Sequence, residues 1–415
     1  MREMKDSNSL WIGNIPANWE VGRIDGFYSL RNTKVSDADF QPLSVTNKGI
    51  VPQLDTAAKT NSHDDRKLVK KGDFAINSRS DRRGSCGISE YDGSVSLINT
   101  ILAPKGEMVP KYYDWLFHTV QFGDEFYKWG HGIVDDLWTT TYQDMKKINI
   151  PVPPLKEQEA IANYLNNKCA EIDALTEDIQ SEIESLEAYK RSVITEAVTK
   201  GLDKNAPMKN SGIEWATEVP VHWHVMQNKY IMKKVKTICP VYNGEDILSL
   251  TMNGVIVRDL DAGGKMPTSF NGYQRIYPGN LLMCLFDYDV TPRCIGLIKN
   301  EGLTSPAYSQ FIMRNDNTAE YYYYYYLMID FTKELLHLAK NLRHSFTEDQ
   351  LGMINAPVPP VDEQKSIAQY LDNKCAEIDS IIARKHEQLA ILADYKKSII
   401  YEYITGKKEV PNGDF

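Results

Sequence analysis

The sequence predicts an α+β protein in which two mixed α/β domains alternate with two long helical segments, and three observations carry that reading. The first is an internal repeat. Residues 151–199 begin PVPPLKEQEAIANYLNNKCAEIDAL and residues 357–405 begin PVPPVDEQKSIAQYLDNKCAEIDSI; at a constant offset of 206, without a gap, 24 of the 49 aligned positions are identical. The second is a shorter echo upstream, where Trp11, Pro16, Trp19 and Val21 match Trp215, Pro220, Trp223 and Val225 at an offset of 204. The third is length: 415 residues exceed the roughly 250–300 at which a single core stops growing. Self-similarity on this scale sets the architecture. Each half opens with W-x4-P-x2-W-x-V and closes with a segment led by P-x-P-P. The boundaries that follow are mixed domains over 1–150 and 206–356, helical segments over 151–205 and 357–405, and a tail over 406–415.

The closing segments are helices because Pro153-Pro154 and Pro359-Pro360 stop whatever precedes them, and neither segment holds another Pro or Gly before Gly201 or Gly406. In the first, Leu165, Cys169, Ile172, Thr176, Ile179, Ile183, Leu186, Lys190 and Val193 fall at alternating steps of four and three. The second repeats the pattern with Leu371, Cys375, Ile378, Ile382, Lys385, Leu389, Leu392, Lys396 and Ile399. That spacing is a coiled-coil seam. A helix of about 43 residues is roughly 65 Å long, and its seam needs a partner, for which the other copy is the nearest candidate. Thr176, Lys190, Lys385 and Lys396 interrupt the seam with polar groups suited to fixing register. Cys169 and Cys375 fall on the seam, where a small, soft, buried residue is expected.

The intervening segments carry short β-leaning runs, ILSLT (247–251) and LLMCLF (281–286), punctuated by KGD, YDG, YPG and NEG turn signals, and one helix-like stretch each, 111–121 and 318–340. Beyond the opening signature they diverge sharply, although Gly72-Asp73-Phe74 and Gly279-Asn280-Leu281 sit at similar places. The six tyrosines Tyr321 to Tyr326 offer stacking faces, but on a helix they cover every side, so aromatic packing into the domain core is the expectation.

Catalytic constellations are missing from the sequence. It has no phosphate-binding G-x-x-x-x-G-K-[ST] loop, no G-x-G-x-x-G, no H-E-x-x-H and no G-x-S-x-G elbow, nor the Asn- or Asp-Pro-Pro-aromatic tetrapeptide of amino-methyltransferases. His222 and His224 flank Trp223 without further ligands at metal-binding spacing. Two acid-x-Lys triplets, Asp65-Arg66-Lys67 and Asp144-Met145-Lys146, are of the kind that nucleases use and that chance also supplies. The six cysteines include no CxxC pair and read as reduced thiols. No run approaches the roughly 18 apolar residues of a bilayer span, and the start MREMKDSNSLW lacks an apolar signal core; a cytoplasmic chain is expected.

The formal charge of −9 argues at first against nucleic acid. Residues 155–199, however, hold four Lys/Arg against ten Asp/Glu, and 361–405 hold six against eight, so the helices account for −8 of it. Residues 66–83 carry seven basic and two acidic side chains, and 229–236 carry four lysines and no acid. Basic clusters interleaved with Asn, Ser and Tyr suit phosphate contacts and base-edge hydrogen bonds, and the acidic helices suit protein partners.

Two divergent domains, each opened by W-x4-P-x2-W and closed by P-x-P-P-[LV]-x-E-Q-x-x-I-A-x-Y-L before a long helix, resemble the specificity (S) subunit of type I restriction-modification systems. Glu157-Gln158 with Ile161-Ala162, and Glu363-Gln364 with Ile367-Ala368, carry the motif, and the likeness runs from Trp11 to Thr405. It implies that each divergent domain is a target-recognition domain reading one half of a split, asymmetric sequence in double-stranded DNA. The helices would form an antiparallel coiled coil about a pseudo-two-fold axis, set the spacing at about two duplex turns of roughly 34 Å, and dock two adenine methyltransferase (M) subunits and, through the complex, restriction (R) subunits. The chain itself would be non-catalytic and hold no cofactor or metal: S-adenosylmethionine would belong to M, and ATP and Mg²⁺ to R. The candidate DNA contacts in the first domain are Asn77, Arg79, Arg82, Arg83 and Ser85, from the glycine-flanked polar loop. The resemblance adds the stretches before each P-x-P-P, giving Trp138, Thr139 and Thr140 in the first domain and Arg343, His344 and Ser345 in the second. Arg293 corresponds to the first domain's loop by order along the chain. The tail from Gly406 departs from the repeat and is expected to fray.

Overall fold

The computed structural model describes residues 2–53, 63–132, 138–261, 267–339 and 344–411. They form two compact units, one of Met1–Ile179 with His386–Phe415, the other of Gln180–Lys385. Each unit therefore joins a mixed α/β domain to a stretch of both long helices.

In the first unit a four-stranded antiparallel sheet runs in the order Cys86–Ile88, Phe74–Asn77, Asn99–Pro104, Tyr28–Arg31. A three-stranded sheet (Gly93–Ser96, Arg66–Val69, Lys34–Val35) and the hairpin Leu43–Thr46/Gly49–Pro52 accompany it. The second unit repeats this order with Ile295–Leu297, Leu281–Met283, Ser309–Met313 and Met232–Val235; with Gly302–Thr304, Gln274–Ile276 and Thr237–Ile238; and with the hairpin Leu248–Thr251/Gly254–Val257. The inserts that diverge in sequence thus share one topology. A buried strand needs apolar side chains but not the same ones, so FAIN and LLM serve alike. What the backbone itself demands does persist: Gly72 (φ 88°) and Gly279 (φ 81°) turn the chain before equivalent strands, and their N–H groups donate to Ser89 O at 2.8 Å and Ile298 O at 2.9 Å. Left-handed φ is open to glycine without steric cost.

The helix-like stretch at 111–121 is two helices, Pro110–Phe117 and Val120–Lys128, because the Thr119 side chain caps the second by accepting from Phe122 N. The tyrosine run lies in the helix Ala319–Thr332; Tyr323 is half-buried and the other five are buried. The tyrosines are core, as their all-round placement requires.

The long helices span Leu155–Lys200 and Val361–Ile404, and each ends at a left-handed glycine, Gly201 (φ 74°) or Gly406 (φ 70°). Within each unit they run antiparallel. In the first unit Lys396 Nζ lies 2.5 Å from Asp173, and the Tyr164 and Tyr403 rings are 4.5 Å apart. In the second, Lys190 Nζ lies 2.6 Å from Asp379, and Lys385 pairs with Glu182. Lys190 and Lys396 are aligned repeat positions, as are Asp379 and Asp173, so the same bond is made in each unit. The three seam lysines are therefore ion-paired across the helix pair. Thr176 instead donates to its own Ile172 carbonyl at 2.8 Å. Cys169 and Cys375 are buried in the seam.

The end of each helix enters the core of a domain. Val193, Ile194, Ala197 and Val198 pack with Trp223, Tyr321 and Tyr322, and the Tyr321 hydroxyl donates to Val198 O at 2.9 Å. Ile399, Tyr403 and Ile404 pack with Trp19 and Tyr112, and the Tyr112 hydroxyl donates to Ile404 O at 2.7 Å. The Glu-Gln pair locks the start of each helix. Gln158 donates to Pro153 O and accepts from Val109 N at the cap of Pro110–Phe117, while Gln364 donates to Pro359 O and accepts from Thr318 N at the cap of Ala319–Thr332. Glu157 accepts from Trp19 Nε1 at 2.9 Å and from Arg2 at 2.6 Å, and Glu363 lies 2.8 Å from His222 Nε2.

The tail corrects the expectation of fraying as far as Pro411. Lys407 Nζ donates to Ile12 O at 2.7 Å and lies over the Tyr401 ring, Glu409 faces Arg2 at 3.8 Å, and Val410 is buried in the first unit's core.

Candidate nucleic-acid interface

In the first unit the loop between the strands Phe74–Asn77 and Cys86–Ile88 is closed at its neck by Asn77 N–H donating to Ser85 O at 2.8 Å. Its interior is pinned. Asn77 Oδ1 accepts from Arg79 N at 3.0 Å, Ser80–Arg82 forms a 3-10 turn, and the buried Tyr127 hydroxyl reaches both Asn77 O (3.2 Å) and Arg82 O (3.3 Å). The second group of predicted contacts comes to the same place: Ser80 N donates to Trp138 O and Thr140 N to Ser78 O, each at 2.9 Å, with Arg79 opposite Thr139. Two stretches about 60 residues apart in sequence are thus neighbours.

Their side chains divide sharply. Asn77 and Thr140 are buried, Thr140 donating to Phe126 O at 3.0 Å, and both build the base of the loop. Ser85 and Trp138 are half-buried and lend their carbonyls to it. Arg79, Arg82, Arg83 and Thr139 are exposed. Arg83 stacks 5.3 Å from the Tyr127 ring centroid and faces Asp124 at 3.3 Å, and Arg82 faces Asp81 at 3.8 Å. Both ion pairs are open to solvent, where such contacts are worth little and exchange readily for a stronger anion. The basic run upstream is less available than its count implies. Arg66 is buried and bonded to Ser94, and Lys67 donates to Asn99 O, with burial pulling both cations' pKa down.

The second unit has the same neck, Cys284 N–H to Cys294 O at 2.9 Å, and the same neighbour, since Tyr288 N donates to His344 O and Phe346 N to Leu285 O. The chemistry differs. Residues 77–85 hold three arginines and one aspartate, whereas 284–294 hold one arginine and two aspartates. His344 Nδ1 lies 2.8 Å from Asp289, whose carboxyl it holds below the ordinary carboxylate range, and Asp287 (φ 46°) and His344 (φ 42°) are both left-handed, a strain that clusters at functional sites. Ser345 is half-buried beside them. Arg293 turns away, its Nη1 donating to Tyr323 Oη at 3.4 Å at the rim of a groove of about 720 Å³ shared with Glu187, Arg191 and Asp379. Arg343 lies outside the described residues.

Tyr127 and Asp289 went unseen in the sequence. Nothing distinguishes Tyr127 from the core aromatics around it, and Asp289 matters only through a histidine 55 residues away. The acid-x-Lys triplets are dispersed by their own contacts. Asp65 pairs with Lys34 at 2.6 Å, and Asp144 accepts from the Thr141 hydroxyl at 2.7 Å. Among the described residues no group of three His, Cys, Asp or Glu could hold a metal ion, and no helix is long and apolar enough to cross a membrane.

The loop thus offers three guanidinium groups from a fixed backbone, on a fold built twice. The chain matches the model of the type I restriction modification DNA specificity domain over residues 16–185 and 296–390, and it belongs to that family. It is 25% identical over 438 aligned positions to the type I restriction enzyme MjaVIII specificity subunit of Methanocaldococcus jannaschii, covering 97% of this chain and 95% of that one. Its fold is similar to a chain in a structure describing complex assembly and conformational transition of the type I R-M system (TM-score 0.72, 13% identity, 95% of this chain and 99% of that). It is also similar to the HsdS subunit from Thermoanaerobacter tengcongensis (TM-score 0.52, 14% identity, 95% and 98%).

Proposed function

We propose that the chain is the sequence-reading subunit of a type I restriction-modification complex, with each unit's α/β domain reading one half of a split DNA target and the acidic helices docking the methyltransferase subunits, and through the complex the restriction subunits. The observation that carries this is the pinned loop 77–85, which exposes Arg79, Arg82 and Arg83 while its polar Asn77 and the neighbouring Thr140 are consumed in holding it. Exposed arginines on a fixed frame suit phosphates and guanine edges. Methyl transfer and cleavage fall to the partners, which would bring S-adenosylmethionine, ATP and Mg²⁺.

Deleting the whole loop would also break the neck between two strands, so the test is substitution. In the complex with its methyltransferase subunits, Arg79→Ala, Arg82→Ala and Arg83→Ala combined should weaken DNA binding and flatten its salt dependence by about 0.9 in log–log slope for each phosphate no longer neutralised, with assembly unchanged. Failed assembly with undiminished DNA binding by whatever complex forms would overturn the assignment.

A further inference from the structure

The neck of the second loop differs from the first in one chemical respect. Where Asn77 and Ser85 face each other in the first unit, Cys284 and Cys294 do so in the second, joined by the equivalent N–H···O bond of 2.9 Å. The ladder opens at that pair: Cys294 N–H does not return to Cys284 but donates to Asp330 Oδ2 at 2.9 Å. The two thiols share Thr291, whose hydroxyl lies 3.9 Å from Cys284 Sγ and whose carbonyl lies 3.7 Å from Cys294 Sγ. Lys333 Nζ lies 3.3 Å from Cys294 Sγ and is fixed there by Asp330 at 2.6 Å and by Thr291 O.

We propose that Cys284 and Cys294 form a peroxide-reactive dithiol whose oxidation ties the neck of loop 285–293 with a disulfide. The neighbouring Cys294 thiol first, then the Phe286 backbone and the Thr291 hydroxyl, bring the Cys284 thiol down in spite of its burial, while Cys294 is pushed up. In the proposed step Cys284 attacks, since thiolate and not thiol is the nucleophile. Its sulfur attacks one oxygen of hydrogen peroxide, the O–O bond breaks, and hydroxide leaves to take up a proton as water. The product is a sulfenic acid on Cys284. Cys294 then gives up its proton, its sulfur attacks Cys284 Sγ, the S–O bond breaks, and the hydroxyl leaves with that proton as a second water. Two thiols are oxidised by two electrons, and one peroxide is reduced. The other four cysteines serve as internal controls: Cys86, Cys169 and Cys375 are buried without a thiol neighbour of this kind, with burial raising each, and Cys239 is the most exposed of the six.

The test is mass mapping of the full chain after hydrogen peroxide, with alkylation of remaining thiols under denaturing conditions. Cys284 should be lost before the more exposed Cys239, yielding one intramolecular link between the peptides bearing Cys284 and Cys294. Cys284→Ser and Cys294→Ser should each abolish the link, and Cys239→Ser should leave it. Loss of Cys239 first, with Cys284 and Cys294 still alkylated, would overturn the proposal; because the decisive measurement is on the unaltered chain, it does not depend on how the variants fold. The effect on DNA rests on the recognition reading above and is scored separately. A mapped disulfide with DNA binding unchanged in the methyltransferase complex would leave the dithiol standing and remove the loop from the interface.

Discussion

Glu157 shows how one carboxylate can hold a domain's opening segment. Although burial pushes its pKa up, hydrogen bonds from Trp19, Arg2 and Asn18 outweigh it and hold the carboxyl below the ordinary range. A depressed folded value means stability that is present above the unfolded pKa and lost as pH falls through the folded one. Glu157→Gln should therefore cost about 1.5–3 kcal/mol near neutrality, the range for hydrogen bonds to a charged group. The gap between the two proteins should close below about pH 4, as followed by urea midpoints across a pH series. A gap independent of pH would mean that the carboxylate's charge contributes nothing. The repeated Glu-Gln pair was plain in the sequence as a motif, but its meaning was not. Trp19 and Val109 lie 138 and 49 residues away from their partners Glu157 and Gln158, and spacing alone names no contact at that distance. The same limit separates the arginines, which composition picks out, from Tyr127, whose hydroxyl fixes the loop that presents them.

At the scale of elements, the long helices were legible to within a few residues, because proline starts them, glycine ends them and the seam repeats along their length. Even the polar interruptions could be picked out, since a lysine at a seam position asks for a counter-ion. Which acid answers depends on the antiparallel pairing, which periodicity does not specify. The α/β inserts were the reverse case. Their main-sheet strands are three to six residues long, some pair far along the chain, as Tyr28–Arg31 does with Asn99–Pro104, and divergent side chains concealed one topology used twice. The seam bond offers a direct test of the pairing. Lys190→Asp places two acids together against Asp379 and should destabilise by about 1 kcal/mol, while Lys190→Asp with Asp379→Lys should recover most of it, a partly exposed pair being worth at most about that much. Thermal unfolding at low salt measures both; equal loss in the single and double variants would deny the contact.

For the whole molecule, the decisive fact is that neither compact unit coincides with one copy of the repeat. The first takes Met1–Ile179 and then His386–Phe415; the second, Gln180–Lys385, begins and ends inside a helix. Cutting the chain between the repeats, near residue 205, therefore does not release two finished folds. The fragment 1–205 would lack Ile399, Tyr403, Ile404 and Val410, which complete the core around Trp19, and the Tyr112 hydroxyl would lose Ile404 O. The fragment 206–415 would lack Val193, Ile194, Ala197 and Val198 from the core around Trp223, and the Tyr321 hydroxyl would lose Val198 O. Each fragment would also expose an apolar helical seam, whose burial is worth about 25 cal/mol per Å². Expressed alone, each should self-associate or aggregate and be cleaved rapidly by protease within its helix. Mixed, the two should form a one-to-one complex that regains the intact chain's protease resistance, because every missing core residue is then supplied by the other fragment. Size-exclusion chromatography with light scattering, together with limited proteolysis, decides the matter. Two fragments that stay monomeric, cooperative in unfolding and indifferent to one another would show that the repeat folds as two independent halves, and that the shared helices are a linker and not part of either core.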